Sequence, residues 1–224
     1  MRVAAAVVAA FALLVAGCGG DDDAEPEAAA SEATPAATET ASGCEASERP
    51  LPKPEGGQQA PTKPLGPGKH DLVVETNCGS FTIALDTKSA PKTAASLVAL
   101  AEKGYFDNLT FHRIVPGFVI QGGDPTGTGA GGPGYSTVDV PPPGSTYTKG
   151  IVAMAKAGSE APGTSGSQFF VVTADDAGLP PDYAIVGTVT EGLDVVERIG
   201  TLGDPSTEAP LEPIVIRSIT VGKS

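Results

Sequence analysis

Phe106-Asp107-Asn108-Leu109-Thr110-Phe111-His112-Arg113-Ile114-Val115-Pro116-Gly117-Phe118-Val119-Ile120-Gln121-Gly122-Gly123-Asp124-Pro125 is the stretch on which the reading of this chain turns. It holds two short strand-like runs, 111–115 and 118–121, with Pro116-Gly117 between them. Upstream, Leu72–Thr76 and Phe81–Leu85 flank Asn77-Cys78-Gly79, a hairpin signal. Ser89-Ala90-Pro91 opens a helix, with Ser89 as cap and Pro91 in the first turn. Ala94, Leu97, Val98 and Ala101 follow on one face and Gly104 ends it. Downstream come strand-like runs at 150–155, 168–173, 184–190 and 213–221, and a short helix from Leu193 to Ile199 with Gly200 as its stop. Strands outnumber helices, and Gly or Pro separates many of them. The pattern predicts a mainly β domain, a barrel or a sandwich, over residues 70–224.

The first 69 residues have a different character. Met1-Arg2 is followed by an apolar run from Val3 to Ala16, too short for a comfortable bilayer span and right for a signal segment. It ends Leu14-Val15-Ala16-Gly17-Cys18, which resembles the bacterial lipobox. That resemblance implies a signal peptide over 1–17, a lipidated Cys18, and a protein anchored by lipid to the outer face of the cell membrane. Residues 19–69 contain only Leu51 and Leu65 as large apolar residues, together with eight prolines and an acidic run. With so little surface to bury, 18–69 is expected to be a disordered tether. The whole chain carries 27 Asp+Glu against 14 Lys+Arg, a formal net charge of -13, which argues against binding nucleic acid or an anionic membrane through charge. Three Cys without a C-x-x-C pair and only two His make a metal centre unexpected.

The opening stretch resembles the signature block of cyclophilins, the cyclosporin-binding class of peptidyl-prolyl isomerases. Ala153-Met154-Ala155-Lys156-Ala157-Gly158 and Gly163-Thr164-Ser165-Gly166-Ser167-Gln168-Phe169-Phe170 form a second matching block, and Leu179 through Tyr183-Ala184-Ile185-Val186-Gly187 a weaker third. The resemblance runs from about 70 to 222 and implies an eight-stranded antiparallel β-barrel capped by two α-helices. It implies Arg113 as the catalytic arginine and Gln121 as the residue that bonds substrate backbone and helps place that arginine. Phe118, Val119, Phe170 and Leu179 match the proline pocket, Ala155 and Lys156 the peptide-pairing stretch, and Gln168 a polar groove position. Val119 stands where many members have Met, Lys156 replaces a common Asn, and Tyr183 stands where others have His. Gly178 occupies the place of a Trp found in many cyclosporin-sensitive members, so weak cyclosporin binding is expected. His112 is expected to make a structural hydrogen bond beside the site.

Chemistry gives these residues a task. Resonance raises the barrier to peptide rotation to about 18–20 kcal/mol, and X–Pro exchange takes tens to hundreds of seconds. A catalyst must hold the proline, let the neighbouring carbonyl turn, and disfavour resonance in the twisted state. A fixed guanidinium donor near the prolyl nitrogen does this without nucleophile, metal or cofactor. The expected partners are proline-containing polypeptides, exported proteins in particular, and a monomer is expected. A non-catalytic proline-peptide receptor or chaperone of the same fold is the competing function.

Gly129-Ala130-Gly131-Gly132-Pro133-Gly134 fits G-x-G-x-x-G formally, but no helix follows, so it reads as a surface loop beside the groove. With Cys18 lipidated, Cys44 and Cys78 remain as an even pair in an oxidising compartment. That suggests a disulfide clipping the tether's end to the first hairpin, with two free thiols as the alternative.

Overall fold

The computed structural model describes residues 40–222. The expected signal segment, the expected lipidation site at Cys18 and the first half of the expected tether lie outside the described residues.

Among the described residues, ten strands and two helices follow one another in the order β1 (Asp71–Thr76), β2 (Gly79–Leu85), α1 (Pro91–Glu102), β3 (Leu109–Val115), β4 (Val119–Gly122), β5 (Thr137–Val138), β6 (Ile151–Met154), β7 (Thr164–Ser165), β8 (Phe169–Val172), β9 (Ile185–Glu191), α2 (Leu193–Gly200) and β10 (Val215–Val221). Eight strands close a barrel in the order β1-β10-β3-β4-β8-β6-β9-β2, and β5 pairs with β7 outside it. Every barrel pairing is antiparallel. Closure leaves no free edge among the barrel strands of the described residues. The barrel with two helices is the architecture that the resemblance implied; strand order alone had left sandwich and barrel open.

Alternation builds the interior. Leu72 and Val74 of β1 and Phe81, Ile83 and Leu85 of β2 point inward, with Val74 opposite Phe81 and Leu72 opposite Ile83. Phe106, Phe111 and Phe169 meet edge to face in the middle, their ring centroids 6.0 to 6.2 Å apart. Ala94, Leu97, Leu100 and Ala101 bury one face of α1, which lies against β10. Val195, Val196 and Ile199 do the same for α2.

Two local expectations change. Ser89 does not cap α1. Ala90 holds the cap position without a side-chain bond, while the Asp86 carboxylate accepts the Lys88 and Ser89 N–H groups at 2.9 Å each. Asp86 instead closes an Asx-type turn that takes up the Ser89 N–H ahead of the helix. Gly200 also closes α2 from within, not as an outside stop.

The second half of the tether is not loose. Residues 40–69 lie along the domain as a strap. Cys44 is bonded to Cys78 with a Cα–Cα distance of 4.1 Å, and Glu45 N–H donates to Asn77 O at 2.7 Å. Further on, the N–H groups of Lys53, Gly56, Gln58 and Leu65 donate to Pro125, Gly132, Pro133 and Pro91 carbonyls at 2.8 to 3.0 Å. Glu45 and Arg217 form an ion pair, and Leu65 packs on the core. Apolar content underestimated this segment. Its order comes from a covalent tie and from backbone donors that the domain's loop carbonyls satisfy. Its prolines also leave little freedom to lose.

Candidate active site

The site forms where strand alternation sorts neighbouring residues to opposite faces. On β4, Ile120 enters the barrel interior while Val119 and Gln121 face outward. On β8, Phe169 goes inward and Phe170 outward, so the adjacent phenylalanines serve the core and the groove respectively. β3 needs one more device. Phe111 and Ile114 are three apart, yet both are fully buried. A bulge between Phe111 and Arg113 resets the phase: Phe111 pairs with Gly122, and Arg113 with Gln121. The extra residue puts Arg113 on the outer face beside Gln121.

A pocket of about 170 Å³ follows, lined by Arg113, Phe118, Val119, Gln121, Ala155, Lys156, Phe170, Leu179 and Tyr183. These are all the residues expected at the site except Gln168. Gln168 stands one step along, in a cavity of about 790 Å³ that shares Gln121, Ala155 and Lys156 with the pocket. Tyr183 packs edge-on against Phe170, with centroids 5.7 Å apart, and the Lys156 ammonium lies 5.5 Å from the Tyr183 ring centre.

A polar chain crosses the pocket's rim. Arg113 Nε donates to Glu208 Oε2 at 2.6 Å, and a terminal guanidinium nitrogen donates to Gln121 Oε1 at 3.4 Å. Gln121 Nε2 donates to Gln168 Oε1 at 3.0 Å. Gln168 Nε2 donates to the Gly129 and Gly131 carbonyls at 3.0 and 2.9 Å. Each amide thus has its oxygen toward one neighbour and its nitrogen toward the next, and the row ends in the glycine-rich loop. The Arg113 side chain keeps 35% of its exposure, open to an incoming ligand.

Asp124 holds that loop from below. It is buried and accepts from Thr126 N–H, Thr126 Oγ1 and Thr128 N–H at 2.7 to 3.0 Å. Burial pushes its carboxyl up, but hydrogen bonds from Thr126, Gly129 and Gly131 outweigh burial and hold it below the usual carboxylate value. His112 departs from expectation: neither ring nitrogen has a hydrogen-bond partner among the described residues. Its ring lies against Gly129. Burial lowers the His112 pKa below 6.5; the Asp124 charge opposes this and the Arg113 charge adds to it.

Residues 72–221 match the family model described as Cyclophilin type peptidyl-prolyl cis-trans isomerase/CLD. The chain belongs to this family. Peptidyl-prolyl cis-trans isomerase-like 1 of Aspergillus fumigatus is 41% identical over 150 residues, covering 65% of this chain and 91% of that protein. The probable peptidyl-prolyl cis-trans isomerase A of Mycobacterium leprae is 41% identical over 167 residues, covering 66% and 90%. A crystal structure of a Cryptosporidium parvum cyclophilin-type isomerase, obtained in the presence of the dipeptide Ala-Pro, superposes with a TM-score of 0.64 at 33% identity and covers 69% of this chain and 99% of that one. The protein is a cyclophilin-type peptidyl-prolyl cis-trans isomerase.

Two residues of this cyclophilin's site escaped the sequence reading. Tyr147 lies fully buried under the pocket; its hydroxyl donates to Tyr183 O at 2.7 Å and accepts from Tyr183 N–H at 3.1 Å, fixing that residue's backbone. Burial raises the Tyr147 pKa, so the phenol remains a donor. Glu208 reaches Arg113 from the loop between α2 and β10. Its backbone is left-handed, with φ of 59°, and its carbonyl accepts from Ile114 N–H at 2.8 Å. Nothing local in Thr207-Glu208-Ala209 announces a partner 95 residues away. Tyr147 carries no signal in the sequence beyond being one of four tyrosines in a chain without Trp.

Proposed function

We propose that Arg113 stabilises the twisted state of an X–Pro bond whose proline ring sits against Phe118, Val119, Phe170 and Leu179. The observation that carries this reading is the position of the guanidinium. It stands at the rim of an apolar pocket, with Nε committed to Glu208, one terminal nitrogen to Gln121, and the remaining donors without a partner among the described residues. Donors held in place before the bond twists need no reorganisation when the prolyl nitrogen becomes pyramidal and basic. Gln121 both restrains Arg113 and offers its amide to substrate backbone. A rate gain of a hundred-thousandfold corresponds to about 7 kcal/mol of differential stabilisation, within reach of one charged donor plus oriented binding.

The substrates on this reading are exported polypeptides, and the enzyme works at the outer membrane face, held there by lipid on Cys18. The lipobox-like Ala16-Gly17-Cys18 supports this, as does the Cys44–Cys78 bond, which suits an oxidising compartment.

The deciding experiment compares the full chain with Arg113→Ala in a proline-isomerisation assay, alongside peptide affinity. Wild-type catalysis with a loss of at least about a hundredfold in the variant, at retained peptide affinity, is the expected result. Wild-type turnover no faster than the variant's overturns the role given to Arg113. For the anchor, Cys18→Ala should move the protein from the membrane fraction to the soluble one; unchanged membrane association overturns it.

A further inference from the structure

The cavity beside the proline pocket has a wall that the family domain does not supply. The family match begins at residue 72, yet Glu55 and Gly56 of the strap line this cavity of about 790 Å³. Their place there is built, not incidental. Gly56 N–H donates to Gly132 O at 2.8 Å and Gln58 N–H to Pro133 O at 3.0 Å, so the strap runs along the glycine-rich loop like an added strand. The approach is close enough to need glycine on the loop side. A Cβ on Gly134, whose φ is +90°, would come within 2.9 Å of Gly56 Cα. Lys53 fastens the next few residues: its N–H bonds Pro125 O at 2.8 Å and its ammonium Tyr105 O at 3.3 Å. The glycine-rich stretch, which no helix follows, thus has a job as the strap's seat.

The charges around the cavity are unequally committed. The Lys156 ammonium is turned to the Glu160 carbonyl at 3.1 Å and to the Tyr183 ring. The Glu160 carboxylate accepts from Ala157 N–H at 2.6 Å. Glu55 makes no ion pair or side-chain hydrogen bond among the described residues, and it is exposed at the cavity wall. Because Gln121, Ala155 and Lys156 border both spaces, an extended peptide with its proline in the pocket carries its neighbouring residues straight into this cavity. At about 3.3 Å per residue only a few positions separate the two.

We propose that the strap is part of the substrate-binding surface and that Glu55 selects polypeptides bearing Lys or Arg within a few residues of the isomerised proline. The inference rests on the reading of the Arg113 groove as the substrate site. Substrate choice is then set in part by a segment outside the domain shared with relatives.

The test uses the full chain and three series of Ala-Pro peptides in which Lys, Ala or Glu is moved through the four positions on each side of the proline. Affinity and isomerisation rate are measured separately for wild type and for Glu55→Lys. At one or two positions wild type should favour the Lys peptide over the Glu peptide by about threefold to fivefold in affinity, as expected for a partly screened ion pair. Glu55→Lys should invert that order, and about 1 M salt should erase it. An identical Lys-to-Glu ratio in wild type and variant at every position overturns the proposal, even with isomerisation intact. An inverted ratio with no dependence of the rate on Arg113 keeps the proposal and overturns the role of Arg113 instead.

Discussion

Replacing Glu208 by Ala isolates how much of the placement of Arg113 comes from an ion pair that spans 95 residues of sequence. Glu208 Oε2 lies 2.6 Å from Arg113 Nε, and the two side chains retain 44% and 35% of their exposure. Charge centres about 4 Å apart attract by about 4 kcal/mol at an effective dielectric constant near 20 and by about 1 kcal/mol in bulk water. With both partners open to solvent the lower figure applies, in line with the 0–1 kcal/mol found for exposed pairs. The charge-assisted bond from Nε is directional, so its loss frees the guanidinium to swing about Cδ. A loss of about 1 kcal/mol in the oriented population corresponds to about fivefold in rate. Glu and Ala face the same left-handed backbone at 208, so strain there cancels between them. The bond from Ile114 N–H to the 208 carbonyl is also unaffected by the side chain. The expected outcome is a fivefold fall in kcat at near-constant KM and melting temperature. Glu208→Gln, which keeps an acceptor and loses the charge, should fall by about twofold. The assay is isomer exchange followed by NMR at saturating peptide, which separates kcat from KM. Undiminished kcat in Glu208→Ala, or a loss confined to KM, refutes the idea that Glu208 positions Arg113.

Other consequences are simpler to state. Reducing the Cys44–Cys78 bond, or replacing both residues by Ala, opens a loop with a sequence separation of 34; chain-entropy arithmetic puts the loss at about 4 kcal/mol, or about 8–16 °C in melting temperature, and a shift below about 2 °C would show that the tie does not restrain the unfolded chain. His112 is held neutral by burial, so between its lowered folded pKa and 6.5 the unfolded chain binds a proton that the folded one does not; stability should fall as pH drops through this window, and His112→Asn should flatten the melting-temperature profile there, an unchanged slope counting against it. Phe170→Ala should raise KM for Ala-Pro peptides at least about tenfold by emptying the pocket's apolar wall, and calorimetric affinity unchanged by the substitution would remove proline from that wall. Cyclosporin should inhibit only weakly, given Gly178 next to Leu179 and Tyr183 across the pocket; an inhibition constant in the nanomolar range would contradict this.

What the sequence could and could not carry follows from the range over which each interaction acts. Short-range alternation was readable: Phe169 and Phe170 must face opposite ways on any strand, and the two matching blocks assign one to the groove. The bulge at His112-Arg113 was harder, although Phe111 and Ile114 three apart already break a period of two; a broken alternation inside a strand is the trace a bulge leaves. Glu208 and Tyr147 were out of reach because their roles depend on how loops return after 95 and 36 residues. The strap was misread for a different reason. Composition measures how much apolar surface a segment can bury, and Thr40 to Lys69 can bury little beyond Cys44 and Leu65. It says nothing of carbonyls that another segment leaves unpaired. Gly132 and Pro133 present two such carbonyls on a loop held up by Asp124 and Gln168, and a Pro-rich segment loses less entropy than an ordinary one in taking them. Disorder inferred from low hydrophobicity therefore holds for a segment alone. It fails where a folded neighbour offers a row of backbone acceptors, and in this protein that row borders the cavity beside the Arg113 pocket.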